Sequence, residues 1–283
     1  MSAFSVTKHA RTTNVVKYVV LSVVAMGWIV LPFWMLVVNS FKTESEASSP
    51  SPALPSTWAA GANYLAVLTT GHYFIGLRNS LTVAVPTVLA VLLLGSMAAW
   101  TFARSTSMGS QAMFYIVTLS IILPPAIVPT VVLLNRTGLT GSDLGYILAL
   151  IGTRTGVMVF LATGYVRQLP QDYEESAQID GASRWGIFWH IIMPLMRPIM
   201  FTVAVMTVIN VWNDFFFALY LLQGASHATL PLTLFTFASA SQYGVRWNLV
   251  FAHVVLTSLP LMITYIILQR KVLSGLTEGG VTG

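Results

Sequence analysis

The sequence predicts an all-α, polytopic membrane protein with six transmembrane helices. Two observations carry that reading. Of 283 residues, 55% are hydrophobic and only 8% are charged, whereas an ordinary soluble domain carries roughly 25% charged residues. Apolar runs long enough to cross a bilayer also recur along most of the chain. A soluble globular enzyme is therefore excluded, and so is disorder, because a mean hydropathy of +0.76 is the opposite of the apolar poverty that keeps a chain unfolded. With no Cys, disulfides and thiolate metal sites are impossible, and redox chemistry says nothing of compartment. The net charge of +5 comes from 14 Lys and Arg placed in ones and twos. That spacing suits topology signals, and no nucleic-acid partner is expected.

A helix crossing the hydrocarbon core needs about 20 mostly apolar residues. The first run that qualifies lies between Lys17 and Lys42, the second between Arg78 and Arg104, and the third between Arg104 and Arg136. The third is long enough to include a turn, and its Pro residues suit a kink. The fourth extends from about Asp143 to Val166 and contains Arg154; the fifth, from Pro198 to Leu222, contains Asp214; the sixth, from about Asn248 to Leu268, carries no formal charge. The first run follows Lys8, Arg11 and Lys17 as a signal peptide would, but it exceeds an h-region and lacks a small-residue cleavage site, so it reads as a retained anchor.

Six spans put both termini on one side. That side collects nine positive residues, Lys8, Arg11, Lys17, Arg104, Arg167, Arg184, Arg197, Arg270 and Lys271, against four on the other, Lys42, Arg78, Arg136 and Arg246. The positive-inside rule then places both termini in the cytoplasm. The expected organisation is a cytoplasmic segment 1–16, a transmembrane domain 17–270 with a cytoplasmic loop 167–197, and a cytoplasmic tail 271–283. Two external connections are long, 43–77 and 223–247. Each fits either a solvated connector or a surface for an external partner.

The loop between the fourth and fifth runs holds Asp172, Glu174, Glu175 and Asp180, four of the nine acids in the chain. Pro170 suits a first helical turn, and the three acids that follow it sit at the positive end of a helix dipole. Gly181 ends that short helix, since Gly enters the left-handed region without penalty, and Ser183 caps a second helix from Arg184. Trp185, Phe188, Trp189 and Ile192 then fall at i, i+3, i+4 and i+7, one apolar face directed to the bundle or the lipid interface. The first, acidic helix fits two readings from physics alone: a protruding contact for another protein, or an amphipathic interfacial loop.

Glu175-Ser176-Ala177, then Asp180-Gly181-Ala182, then Ile191 and Pro194 resemble the EAA loop of permease subunits in ATP-binding-cassette importers. Ser176 in place of the first Ala is the one departure. Arg78-Asn79-Ser80, Leu123-Pro124 with Pro129, Leu169-Pro170 and Trp212-Asn213-Asp214 extend the resemblance to the carbohydrate-uptake branch, similar to the smaller of the maltose-type permeases. So does the end of the chain, although Glu278 and Thr282 depart from that branch.

The resemblance implies a type I importer permease fold and a heterodimer with a second permease subunit. It also implies two copies of an ATPase beneath, an extracytoplasmic solute-binding protein outside and a carbohydrate substrate. ATP and Mg belong to the ATPase subunits, and no cofactor is expected on this chain, which has no phosphate-binding Gly-x-x-x-x-Gly-Lys-Ser/Thr. Glu174, Glu175, Ser176, Ala177, Asp180, Gly181 and Ala182 would form the ATPase-coupling set. Gly181 would set the angle of a rigid lever, and Glu175 would anchor it by a charge-assisted hydrogen bond.

Charged residues at mid-span cost about 2.5–3.5 kcal/mol on insertion scales and usually face a cavity or a partner. Arg154 and Asp214, with Trp212 and Asn213, are therefore candidate substrate-pathway residues; the alternative is that they support the fold or a gate. Arg154 lies between Gly152 and Gly156, a pair suited to breaking a helix beside a cavity. The five His show no metal-ligand spacing, and scattered Met reads as packing. Within the same superfamily a polyol or glycerol phosphate ester is the alternative solute. The alternative from a different class, an ion-coupled secondary carrier, calls for inverted repeats and more intramembrane ionisable residues.

Overall fold

Proline and capping residues divide the apolar runs more finely than charge alone suggests. The computed structural model describes residues 17–278 apart from 19, 125 and 240–243, with side chains through 266. The expected segment 1–16 with Lys8 and Arg11, the side chains of Arg270 and Lys271, and tail residues 279–283 lie outside the described residues.

Helix α1 covers Val20–Ser40 and contains a π-helical turn at Met26–Val30, just ahead of Pro32. A proline ring collides with the carbonyl four residues earlier, and a widened turn relieves the clash. Two short helices follow, α2 at Glu44–Ala47 and α3 at Ala60–Thr69. Next come α4 at Tyr73–Arg104, α5 at Met108–Leu119, α6 at Ile127–Arg136 and α7 at Asp143–Gln168. The loop helices are α8, Asp172–Ile179, and α9, Arg184–Leu195. The remainder comprises α10 at Arg197–Trp212, α11 at Phe216–Leu221, α12 at Leu230–Ser239 and α13 at Trp247–Glu278.

Among the described residues four helices are long and apolar enough to cross a membrane, within α1, α4, α7 and α13, and a fifth if α9 and α10, bent by 73°, are one span. The fold is thus all-helical and multi-spanning among the described residues, and the expected count of six spans is not reached there. The difference lies in the third run, which forms α5 and α6 on either side of 120–126. Pro124 and Pro125 remove two consecutive backbone donors there, so neither piece attains spanning length. The fifth run also differs: α10 stops at Trp212 and α11 restarts at Phe216, so Asp214 occupies a break and not the middle of a helix. Conversely, α7 runs unbroken through Gly152 and Gly156. A Cβ on Gly156 would collide with Ser120 Oγ and the Val117 carbonyl, so this Gly serves close packing of α7 on α5.

The chain divides into two compact units, Met1–Tyr73 with Leu234–Leu259, and Phe74–Thr233 with Pro260–Gly283. In the first, a buried polar knot joins α1, α3 and the start of α13. Lys42 Nζ donates to Asn39 Oδ1 at 3.0 Å and to the Ser51 carbonyl at 2.9 Å. Asn63 Nδ2 donates to the carbonyls of Ser40 and Lys42, and its Oδ1 accepts from Asn248. In the second unit, one apolar cluster includes Val83, Tyr146, Leu150, Phe217 and Leu221. The other includes Val91, Met158, Val166, Phe188, Ile192 and Val203. Helices α4 and α7 contribute to both clusters and form the common frame of the sites below.

Candidate functional site

The acidic loop is built by local rules. Leu169 leaves α7 in an extended conformation, and α8 begins with Asp172, Glu174 and Glu175 in its first turn. Gly181 adopts φ +81°. Its N–H donates to the Gln178 carbonyl at 3.0 Å, and the Ala182 N–H donates to the Ala177 carbonyl at 2.9 Å, the two bonds of a Schellman closure. Ser183 Oγ then accepts from the Gly186 N–H at 3.1 Å and starts α9. Helix, sharp turn and helix are therefore hydrogen-bonded end to end.

The phase of α8 sorts its residues. Asp172, Glu175, Ser176 and Ile179 lie at i, i+3, i+4 and i+7 and are all exposed, Ile179 to 86%. Glu174 and Ala177 face the other way. Glu174 is buried, with Oε1 accepting from Arg104 Nε and Oε2 from Trp100 Nε1, each at 2.8 Å. Ala177 packs on the second apolar cluster. Asp180, Gly181 and Ala182 are exposed at the turn.

In α9 the expected four-residue face is divided. Phe188 and Ile192 are buried together with Ile187, while Trp185 and Trp189 are exposed. A π-helical turn at Phe188–Ile192, upstream of Pro194, shifts the register of the residues that follow it away from the 3.6 spacing.

A cavity of about 500 Å³ opens among α7, α10 and the connection that follows α5, and its polar lining includes Ser120, Thr153, Arg154, Thr207 and Asn210. Of the candidate pathway residues only Arg154 lines it. Arg154 Nη2 donates to Asp214 Oδ2 at 3.2 Å. Asp214 Oδ1 accepts from Tyr146 Oη at 3.0 Å and from the Ala218 N–H at 3.3 Å, so one carboxylate both orients the arginine and engages a free N–H in the first turn of α11. Trp212 is buried, and Asn213 Nδ2 donates to the Ile209 carbonyl at 2.8 Å. The structure thus brings Arg154 and Asp214 together and leaves Trp212 and Asn213 outside the lining.

Sequence reasoning missed Thr153, Thr207 and Asn210, as well as Trp100 and Arg104. The signal available for the first group was polar residues inside apolar runs, with Thr207 and Asn210 one turn apart. Asn79 and Ser80, quoted as a motif, gain a structural explanation. Asn79 Nδ2 donates to the carbonyls of Ser226 and Ala228, and Ser80 Oγ accepts from the Leu230 N–H. Among the described residues no cluster of metal-ligating side chains occurs.

Helices of spanning length, a polar-lined cavity and a rigid acidic helix fastened to the bundle describe a multi-pass membrane protein. The chain belongs to the family of binding-protein-dependent transport system inner membrane components, whose family model matches residues 91–276. It is 32% identical to the Probable starch degradation products transport system permease protein of Thermoanaerobacterium thermosulfurigenes, over 96% of this chain and 99% of that one. It is 29% identical to the Diacetylchitobiose uptake system permease protein of Streptomyces coelicolor, over 89% and 83% of the two chains. Among solved structures, a bacterial ABC transporter involved in the import of the acidic polysaccharide alginate superposes with a TM-score of 0.80, covering 92% of this chain and 96% of that one at 19% identity. That likeness shows the fold.

Proposed function

We propose that the chain is one permease subunit of an ATP-driven, binding-protein-dependent importer for a sugar or oligosaccharide. The observation that supports this reading best is α8, a short helix fastened to the bundle by Glu174 and Ala177. Its opposite face offers Asp172, Glu175, Ser176 and Ile179. On this reading the stripe is the docking face for another protein, an ATPase pair holding ATP and Mg. A second permease subunit completes the membrane pathway, and a solute-binding protein delivers the sugar from outside.

Both termini and the loop 167–197 then lie in the cytoplasm, with 17–270 as the transmembrane domain and 1–16 and 271–283 as its cytoplasmic ends. ATP-driven closure of the ATPase pair displaces α8, and the stiff turn at Gly181 passes the motion to α9 and α10. The hydroxyls and amide of Thr153, Thr207 and Asn210, beside Arg154, suit the hydroxyls of a passing sugar, while Asp214 positions Arg154 from behind. The names of the full-length relatives, starch degradation products and diacetylchitobiose, support a carbohydrate over a polyol or glycerol phosphate ester.

The test is to tag the chain, solubilise its native membrane gently and identify stoichiometric companions by mass spectrometry. An ATPase and a second permease are expected, and the accompanying binding protein then supplies the reagent for finding the solute. Recovery of the chain alone, or only as a homo-oligomer, would refute the proposal.

A further inference from the structure

The turn at Gly181 makes the two arms of the loop rigid locally, but each arm also needs a fixed relation to the spans it is to move. The last two turns of α4 supply that relation. Trp100 and Arg104 lie four residues apart on one face of α4, and both reach Glu174. Arg104 does a second thing: its Nη2 donates to the Leu169 carbonyl at 3.1 Å, one of the carbonyls left unpaired where α7 ends. Trp100, unlike Arg104, touches both arms. Its Nε1 donates to Glu174 in α8, and its ring lies 5.7 Å from that of Phe188 in α9. The ion pair is largely shielded, with the Arg104 and Glu174 side chains 16% and 10% exposed, so its hydrogen bonds are little weakened by competing water.

We infer that Trp100 and Arg104 are positioning residues which clamp both arms of the acidic loop to the end of α4, so that α4, α8 and α9 move as one body during the transport cycle. The inference rests on the coupling role proposed above and adds the element that receives the motion. Helix α8 drives α4 directly through Glu174, in parallel with the path through Gly181 into α9. Glu174 and Glu175, adjacent in sequence, thereby have opposite tasks, one gripping the bundle and the other facing the partner.

The chain contains no Cys, which suits spin-label distance measurement. Thr106→Cys and Tyr173→Cys, both at exposed positions and the second on α8 away from its docking stripe, are introduced into an otherwise cysteine-free complex purified with its ATPase. Their separation is measured without nucleotide and after trapping with Mg·ATP and vanadate. The expected result is one distance in both states for the otherwise native chain. In Glu174→Ala and Trp100→Ala backgrounds the distance changes on trapping, while the complex stays assembled and hydrolyses ATP. Glu174→Gln, which keeps an acceptor for the indole, is expected to restore the single distance.

A distance that changes on trapping in the otherwise native chain, or that stays fixed in the Glu174→Ala background, would overturn the clamp. Trp100→Phe guards against misfolding: it keeps the ring against Phe188 but loses the donor, so a broadened distance supports the clamp and an unaltered one counts against it. Gly181→Val separates the two proposals. If it disturbs coupling while Glu174→Ala does not, the clamp alone is wrong. If no ATPase accompanies the chain, the coupling role falls and takes the clamp with it.

Discussion

Gly181 shows how one residue sets the angle of the loop. A Cβ built there meets nothing within 4 Å, so any substitution costs only what the positive φ imposes. For a plain L-residue that is about 1–2 kcal/mol, and a β-branched side chain adds to it. Gly181→Ala is therefore expected to lower the coupling of ATP hydrolysis to uptake moderately, and Gly181→Val to lower it severely with the complex still assembled; normal uptake by Gly181→Val in proteoliposomes would remove Gly181 from the lever. Asp214 is a different case, because its carboxylate answers donors that include Arg154, Tyr146 and Ala218. Asp214→Asn leaves Arg154, a quarter exposed, without its counter-charge, a loss on the order of 2 kcal/mol after allowance for the water it reaches. The expected outcome is a lower unfolding temperature of the purified complex together with slower uptake. Unchanged stability and unchanged transport would take Asp214 out of both the fold and the pathway.

Among the elements, those governed by neighbouring residues were legible in the sequence and those governed by distant ones were not. The turn at Gly181 and the cap at Ser183 follow from side-chain and backbone rules that act within four residues. The inward turn of Glu174 depends on Arg104, 70 residues away, and no local pattern tells Glu174 from Glu175. The π-helical turn at Phe188–Ile192 is likewise something that a period of 3.6 cannot anticipate. Gly152 and Gly156 read as a break, whereas α7 continues because at Gly156 the missing Cβ is occupied by α5. Gly156→Leu is accordingly expected to force α5 away from α7 and destabilise the purified protein by about 1–3 kcal/mol. Gly152→Ala, at a position where a Cβ meets nothing, is the control and should leave the unfolding temperature nearly unchanged.

At the scale of the molecule, membrane residence and helical class were readable from composition, because so few charges leave no other solvent for the apolar surface. The number of uninterrupted spans was not, since Pro124, Pro125 and the break at Asp214 interrupt runs that remain apolar throughout. Helix association here cannot draw on the hydrophobic effect within lipid, so it rests on close packing and buried hydrogen bonds. The knot of Asn39, Lys42, Asn63 and Asn248 and the clamp at Glu174 are of that kind. The outward face of α8 has one more consequence, for the life of the subunit in the cell. On the proposed reading a bound ATPase covers Ile179, almost fully exposed in the free chain, and an orphan copy would display it to proteases and chaperones. Ile179→Ser is expected to lengthen the half-life of the chain produced without its ATPase and to weaken capture of the ATPase when both are produced, measured by pulse-chase and co-purification. A surface that docks the engine would then also meter how many copies of the gate survive without one.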